Sequence, residues 1–220
     1  MSKKIFISPS NQNNNKYAYG NTTEDVECGK IAKALETALK RCGFETKLEQ
    51  YKTAEQRCID SNNWGADLHI PIHTNAFNGA VGGTRIFYGS TNGKTVCQAV
   101  YNELAPITPG KSENISQNST WIEIKQPKAI TCYVEAEFHD VPEYAKWITE
   151  NTTEIGEAIC KGICKYYGVK YVDANKQETP AETSKLYRVQ VGAFSVKANA
   201  AAMLKRLKDN GFDGFIVEAK

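Results

Sequence analysis

Long apolar runs are what this sequence of 220 residues most plainly lacks. A helix needs about 20 consecutive apolar residues to span a bilayer, and no stretch approaches that length, so no membrane span is expected. The amino terminus, Met1-Ser2-Lys3-Lys4-Ile5-Phe6-Ile7-Ser8-Pro9, sets two lysines before only three apolar residues. That is far short of a signal-peptide core, and the expectation is a protein made in the cytoplasm without such a leader. A surplus of one charge is also missing. The formal net charge of +2 is too small for nucleic-acid binding by bulk electrostatics. Cysteine occurs seven times, an odd count with no tight spacing, which excludes a simple disulfide framework. Most of these cysteines stand among apolar neighbours and read as buried thiols of a reducing compartment. Cys160 and Cys164 share one helix face, but with no further ligand near them in the sequence a metal is not expected there.

What is present is ordinary for a globular protein, 41% hydrophobic and 24% charged residues. The length suits one substantial domain and a small appendage. Residues 5–8 form a short apolar run closed by Ser-Pro, a buried strand. Ile31, Leu35 and Leu39 recur at intervals of four over residues 24–41, an amphipathic helix closed by Gly43. Strands are expected at 44–51, 67–73, 84–88 and 129–135, with helices at 54–63, 93–104 and 142–167. Residues 106–119 read as loop. Strands alternating with helices predict an α/β fold, a mixed and mostly parallel sheet with helices on both faces. Residues 172–185 read as a linker. Beyond it a strand at 186–191, a helix at 196–210 and a strand at 212–217 predict a small βαβ unit. The expected division is 1–171, 172–185 and 186–220.

Histidine is scarce, with three in the chain. His69 and His73 lie four apart, but Ile70-Pro71-Ile72 between them argues for a strand, where four residues span roughly 13 Å. Two nitrogens each about 2 Å from one metal ion cannot be so far apart, so at most one of the pair serves a given site. His73 is the better choice because it ends its strand, where α/β sheets place their sites. Glu135 also ends an apolar run, where an acid is costly unless paired or functional; solvation in the following polar loop is the competing reading. Glu24 opens the first long helix, where the helix dipole favours a carboxylate with or without a metal.

The stretch Ala66-Asp67-Leu68-His69-Ile70-Pro71-Ile72-His73-Thr74-Asn75-Ala76 is similar to a strand ending in His-x-Asn-Ala, and residues 3 to about 168 resemble the zinc-dependent N-acetylmuramoyl-L-alanine amidase domain of bacterial autolysins and phage endolysins. That resemblance implies cleavage of the bond between N-acetylmuramic acid and L-alanine in peptidoglycan. It implies that His73 is a zinc ligand and that Glu24, opening the first long helix, is another. The family's catalytic glutamate stands in Val-Glu-x-Gly-Phe, matched here by Val134-Glu135-Ala136-Glu137-Phe138. Glu135 is then the catalytic carboxylate and Glu137 the alternative. The family's first ligand, a histidine just after the first strand, is missing from Ser8-Pro9-Ser10-Asn11-Gln12. Asn11 occupies the aligned position; Gln12 has the longer arm and is the choice for the third ligand. An amide oxygen is neutral like imidazole but a poorer partner for zinc, so weaker metal retention is expected. Glu135 would take the proton of the attacking water and pass it to the departing nitrogen. Asn75 and Trp121 are candidates for shaping the substrate groove.

The tail, Tyr187-Arg188-Val189-Gln190-Val191-Gly192-Ala193-Phe194 followed by an Ala-rich helix, resembles the start of a sporulation-related (SPOR) repeat. Such domains bind peptidoglycan glycan strands on a βαββαβ plan of about twice this length. About 35 residues stand below the ~40 at which domains usually fold alone, and unpaired strand edges invite another chain. A homodimer through this segment is therefore expected. Neither nucleic acid nor a membrane is expected as a partner. The functional expectation is a wall hydrolase, phage lysin or host autolysin, that reaches its substrate after release by a holin or by lysis. The alternative is a wall-binding protein whose amidase fold has lost its metal.

Overall fold

The computed structural model describes residues 2–174 and 189–218. The chain divides into two compact units, Met1–Lys176 and Gln177–Lys220. The first is built around strands β1 (Lys4–Pro9), β2 (Glu45–Leu48), β3 (Leu68–Asn75), β4 (Arg85–Tyr88), β5 (Ser116–Gln117), β6 (Ile130–Thr131) and β7 (Tyr133–Phe138). They form one sheet in the order β2-β1-β3-β7-β4-β5, with β6 alongside β3. All pairs are parallel except β4 with β7. The expected mixed, mostly parallel sheet is what the chain forms.

Six helices belong to this unit: α1 (Glu24–Arg41), α2 (Ala54–Trp64), α3 (Thr91–Leu104), α4 (Ile122–Lys125), α5 (Pro142–Glu150) and α6 (Thr152–Tyr167). Side chains alternate across a strand, so one face of the sheet carries Ile5, Ile7, Ile70, Ile72 and Val134 into a core with α1, α3 and α6. Ile31, Leu35 and Leu39 of α1 are fully buried there, as are Ile155, Ile159 and Ile163 of α6. Each such side chain contributes roughly 1.5–3 kcal/mol when removed from water. The opposite face turns Phe6 and His69 toward α2, with the Phe6 ring stacked on His69 at 5.2 Å and tilted against Trp64 at 6.5 Å.

Boundaries differ from expectation where local chemistry intervenes. The single helix expected over 142–167 is two, broken at Asn151, whose φ of −124° and ψ of 22° leave the helical region. Its side-chain amide donates to the Trp147 carbonyl at 2.7 Å, the local competition with the backbone that asparagine offers. The expected run at 129–135 is split into β6 and β7. The loop expected at 106–119 contains β5, and α4 follows it. Gly168 at φ +67° ends α6 in the left-handed conformation that glycine adopts readily.

In the second unit, α7 (Lys197–Asp209) lies where the sequence predicted a helix. The expected flanking strands are corrected: among the described residues, 189–191 and 212–217 join no ladder. A strand exists through its pairing, and a short apolar sequence supplies no partner by itself. Val189, Phe212 and Phe215 are accordingly 85%, 65% and 77% exposed. Residues 186–188 of the first expected strand, and 175–185 of the expected linker, lie outside the described residues. Among the described residues no helix is long and apolar enough to cross a membrane.

Candidate active site at the carboxyl ends of the central strands

β3 and β7 run parallel with His73 opposite Glu135 in register. Residues opposite each other project to the same face, so an imidazole and a carboxylate emerge side by side at the strands' carboxyl ends. From His73–Glu135 to the next pair, Asn75–Phe138, β7 carries one more residue than β3. Such a bulge re-aims the side chains that follow it and is frequent beside active sites. On its other side Glu135 faces Arg85 of β4.

α1 brings its first residue to the same place. Glu24 is 1% exposed, and His73 Nδ1 donates to its Oε1 at 2.9 Å. Gln12, in the loop after β1, sets its amide Nε2 3.4 Å from His73 Nδ1. Asn15 closes this ring of groups, its side-chain amide donating to Glu24 Oε2 at 2.7 Å and to Gln12 Oε1 at 2.9 Å. Asn11 points elsewhere and donates to the Lys52 carbonyl at 3.1 Å. Of the two amides weighed for the third position, only that of Gln12 reaches His73. Glu24, Gln12 and His73 thus converge as two oxygen-bearing groups and an imidazole. In this arrangement the Gln12 oxygen faces Asn15 and its nitrogen faces His73, so turning the oxygen to an ion beside His73 would give up the Asn15 hydrogen bond. Donors spaced this closely suit a small divalent cation with nitrogen and oxygen ligands.

Burial tunes the charges. Left alone it would raise the Glu24 carboxyl, but hydrogen bonds from His73, Asn15 and Ser10 hold it below the usual range. Burial would likewise lower His73, but the Glu24 hydrogen bond and the charge of Glu135 raise it. Burial pushes Glu135 up to about 7, reinforced by Glu24 and opposed by His73 and Arg85. Glu135 Oε2 and His73 Nε2 are both buried without a hydrogen-bond partner among the described residues. A carboxyl near neutrality with an uncommitted oxygen can both take and return a proton.

Glu137 is occupied differently. It accepts backbone N–H groups from Gly83, from Gly110 at 3.0 Å and from Phe138 at 2.9 Å. It ties together two loops that approach so closely that a Cβ on Gly83 would meet the Lys111 backbone at 2.3 Å. His69 is also apart, its Nε2 3.3 Å from Glu123 Oε1 and its ring fully buried. Glu123 pairs with the buried Arg57 at 2.8 Å and accepts from Ser8 as well. The two histidines of β3 serve two separate clusters, as the strand spacing implied.

Aromatic rings wall the site. Tyr133, preceding Glu135 by two on β7, stacks on His73 with centroids 4.8 Å apart, and Trp121 packs on Tyr133 at 4.8 Å and on Phe87 at 4.7 Å. Trp121 remains 38% exposed. Asn75 lines a cavity of about 350 Å³ together with Phe77, Arg85, Glu113 and Phe138. Sequence reasoning missed Asn15 and Tyr133. The Asn-rich loop hinted at the first; two-residue alternation from Glu135 would have placed the second on the same face.

Comparison with known proteins identifies the family and the fold. The N-acetylmuramoyl-L-alanine amidase family profile matches residues 5–165, and the SPOR domain profile matches residues 169–218, starting ahead of the linker expected from the sequence. The sporulation-specific N-acetylmuramoyl-L-alanine amidase of Bacillus subtilis (strain 168) is 28% identical over 230 residues, covering 97% of this chain and 84% of that protein. Among solved structures, the catalytic domain of CwlV, an N-acetylmuramoyl-L-alanine amidase from Bacillus (Paenibacillus) polymyxa var. colistinus, superposes with a TM-score of 0.68 at 19% identity, covering 76% of this chain and 99% of that one. An N-acetylmuramoyl-L-alanine amidase from Clostridium difficile 630 superposes with a TM-score of 0.68 at 20% identity, over 76% of this chain and 97% of its own. Likeness at that identity speaks for the fold, and the profile match over most of the chain speaks for the family: this chain belongs to the N-acetylmuramoyl-L-alanine amidases.

Proposed function

We propose that this peptidoglycan amidase works through Glu135 as general acid–base beside a zinc site formed by Gln12, Glu24 and His73. The observation that carries the reading is the register pairing of His73 with Glu135, with Glu24 2.9 Å from the His73 ring. When bound there, zinc supplies Lewis-acid polarisation of the scissile carbonyl and makes water more acidic. Everything else falls to the chain. Glu135 accepts the proton of the water that attacks the lactyl carbonyl of N-acetylmuramic acid. As the carbon–nitrogen bond breaks, Glu135 returns that proton to the departing amine of L-alanine. In the metal-free site burial raises its pKa, which favours holding the proton between the two halves of the transfer. Tyr133 and Trp121 exclude water from one side of the ring, and Asn75 fronts the cavity into which substrate extends.

The domain division follows from the same reading: catalysis in residues 1–171, a linker at 172–185, and wall binding or dimerisation in 186–220. The exposed apolar side chains of the second unit support a homodimer through that segment. Synthesis in the cytoplasm and release by a holin or by lysis complete the proposal. The test is dye release from purified cell walls with the zinc-loaded protein and with protein stripped by chelator, together with metal analysis. Zinc-dependent release supports the hydrolase; release unaffected by chelation contradicts the site. Wall binding without release would favour the alternative of a wall-binding protein that has lost its metal.

A further inference from the structure

Far from the carboxyl ends of the strands, α1 ends at Cys42, and α6 carries Cys160 and Cys164 one turn apart. The expectation that Cys160 and Cys164 lacked a further ligand is corrected, because the fold brings in a thiol 118 positions away in sequence. Cys160 Sγ lies 3.9 Å from Cys42 Sγ and 4.0 Å from Cys164 Sγ, and all three sulfurs fall within 4.8 Å of one another. We propose that Cys42, Cys160 and Cys164 form a three-thiolate site for a soft d10 cation, separate from the catalytic centre.

The spacing argues for an ion rather than a disulfide. Thiolate–metal bonds are about 2.3 Å long, so three sulfurs spread evenly around one ion stand about 4 Å apart. A disulfide needs sulfurs at about 2.05 Å, roughly half of either separation. The helices supply the preorganisation: positions four apart on α6 share a face, and the end of α1 presents the third sulfur to it. The donors are dry, with Cys160 fully buried, Cys164 1% exposed and Cys42 8% exposed. Cys42 is thus the point of entry. One thiol is set apart: burial raises Cys42, and the Cys164 hydrogen bond with burial raises Cys160, while Cys164 is lowered, so a bound ion must displace the protons of the other two. The Val172 N–H donates to Cys42 Sγ at 3.3 Å, an outer hydrogen bond of the kind that tunes metal ligands. The Cys160 hydrogen bond, then that of Cys42 and the charge of Arg41, bring the Cys164 thiol down to about 7 against burial and the charge of Glu157. An all-sulfur set selects soft cations, whereas the nitrogen and oxygen donors around His73 do not. A bound ion would staple α1 to α6 and to the chain at Val172, whose carbonyl Arg41 also holds at 2.8 Å.

Cadmium alone is the probe, because thiolate–cadmium charge transfer absorbs in the ultraviolet while oxygen and imidazole ligands give no such band. The reduced, metal-free full chain is titrated anaerobically, and its melting temperature is followed alongside. The expected result is one equivalent that raises both the band and the melting temperature. The band should persist in His73→Ala and Cys97→Ser, and fall at least tenfold in affinity in Cys42→Ser. If Cys42→Ser does not fold, as judged by circular dichroism, Cys160→Ala takes its place. No band in the native chain, or a band undiminished in the folded variant, overturns the proposal. So does thiol counting that finds a disulfide within the cluster of the protein as purified.

Discussion

His73 of β3 and Glu135 of β7 stand opposite each other in register, and each keeps one buried polar atom, Nε2 and Oε2, without a partner among the described residues. Buried polar atoms are ordinarily hydrogen-bonded, and on the proposed reading these two are where substrate and ion would complete the structure.

Replacing His73 by Ala should abolish zinc binding and wall lysis while leaving the fold intact. The ring is packed against Tyr133 at a strand end and takes no part in the apolar core. Metal analysis, dye release and circular dichroism check the three parts separately. Normal lysis by this variant would remove His73 from the site.

Glu135→Gln should keep zinc and slow hydrolysis by roughly 10²-fold or more, the loss expected for a general base. Its effect on stability has the opposite sign. The folded pKa of about 7 lies above the ordinary 4.5, so the unfolded chain holds fewer protons between those values. The wild-type carboxyl therefore costs stability progressively as pH rises from about 4.5 to 7, and nothing further above that. Metal-free Glu135→Gln should unfold later than wild type at pH 8, by up to about 3 kcal/mol, and match it near pH 4. Urea unfolding at the two pH values reads this directly. Glu137→Gln should instead lower stability, because the NH2 that replaces one carboxyl oxygen cannot accept, leaving the Gly83 or the Gly110 amide without its partner.

The buried group beneath the sheet should govern acid unfolding. Burial alone would raise Glu123, but hydrogen bonds from His69 and Arg57 hold it at about 2. Since that lies below the ordinary 4.5, its stabilisation is present above about pH 4.5 and is lost as pH falls toward 2. Glu123→Ala should cost roughly 3–5 kcal/mol at pH 7 by leaving the Arg57 charge buried and unpaired. The difference from wild type should shrink toward pH 2 in denaturant titrations.

Gln12→His should tighten zinc binding by replacing an amide oxygen with an imidazole. Chelator competition on the two proteins gives the ratio. An unchanged dissociation constant would mean that Gln12 is not a ligand, despite its approach to His73 at 3.4 Å.

Much of this was legible in the sequence where a local rule governed. The span of α1 followed from apolar residues at intervals of four, and the strand character of 68–75 from Ile-Pro-Ile between the histidines. The break at Asn151 was not, because a side-chain bond to Trp147 competes with a helical pattern that runs straight through it. The site was half legible. Glu24, His73 and Glu135 follow from strand ends, a helix start and family resemblance. Asn15, Tyr133 and the meeting of Cys42 with Cys160 depend on which elements become neighbours, and spacing along the chain does not encode that. The strands expected around α7 illustrate the converse: an apolar pattern states a preference, and only a partner converts it into a ladder.

The second unit should make the full chain a dimer at micromolar concentration, through the apolar residues exposed beside α7. Light scattering should give twice the mass expected for 24.4 kDa, and a chain ending at Tyr171 should be monomeric. A monomeric full chain would refute the pairing.

The most direct measurement is mass spectrometry of the fragments that the zinc-loaded protein and its Glu135→Gln variant release from purified peptidoglycan. The account predicts glycan strands with free lactyl groups and stem peptides that begin with an unblocked L-alanine, formed at least roughly a hundredfold faster by the wild type. Fragments cut within the sugar chain or inside the stem peptide, or equal release by both proteins, would contradict it.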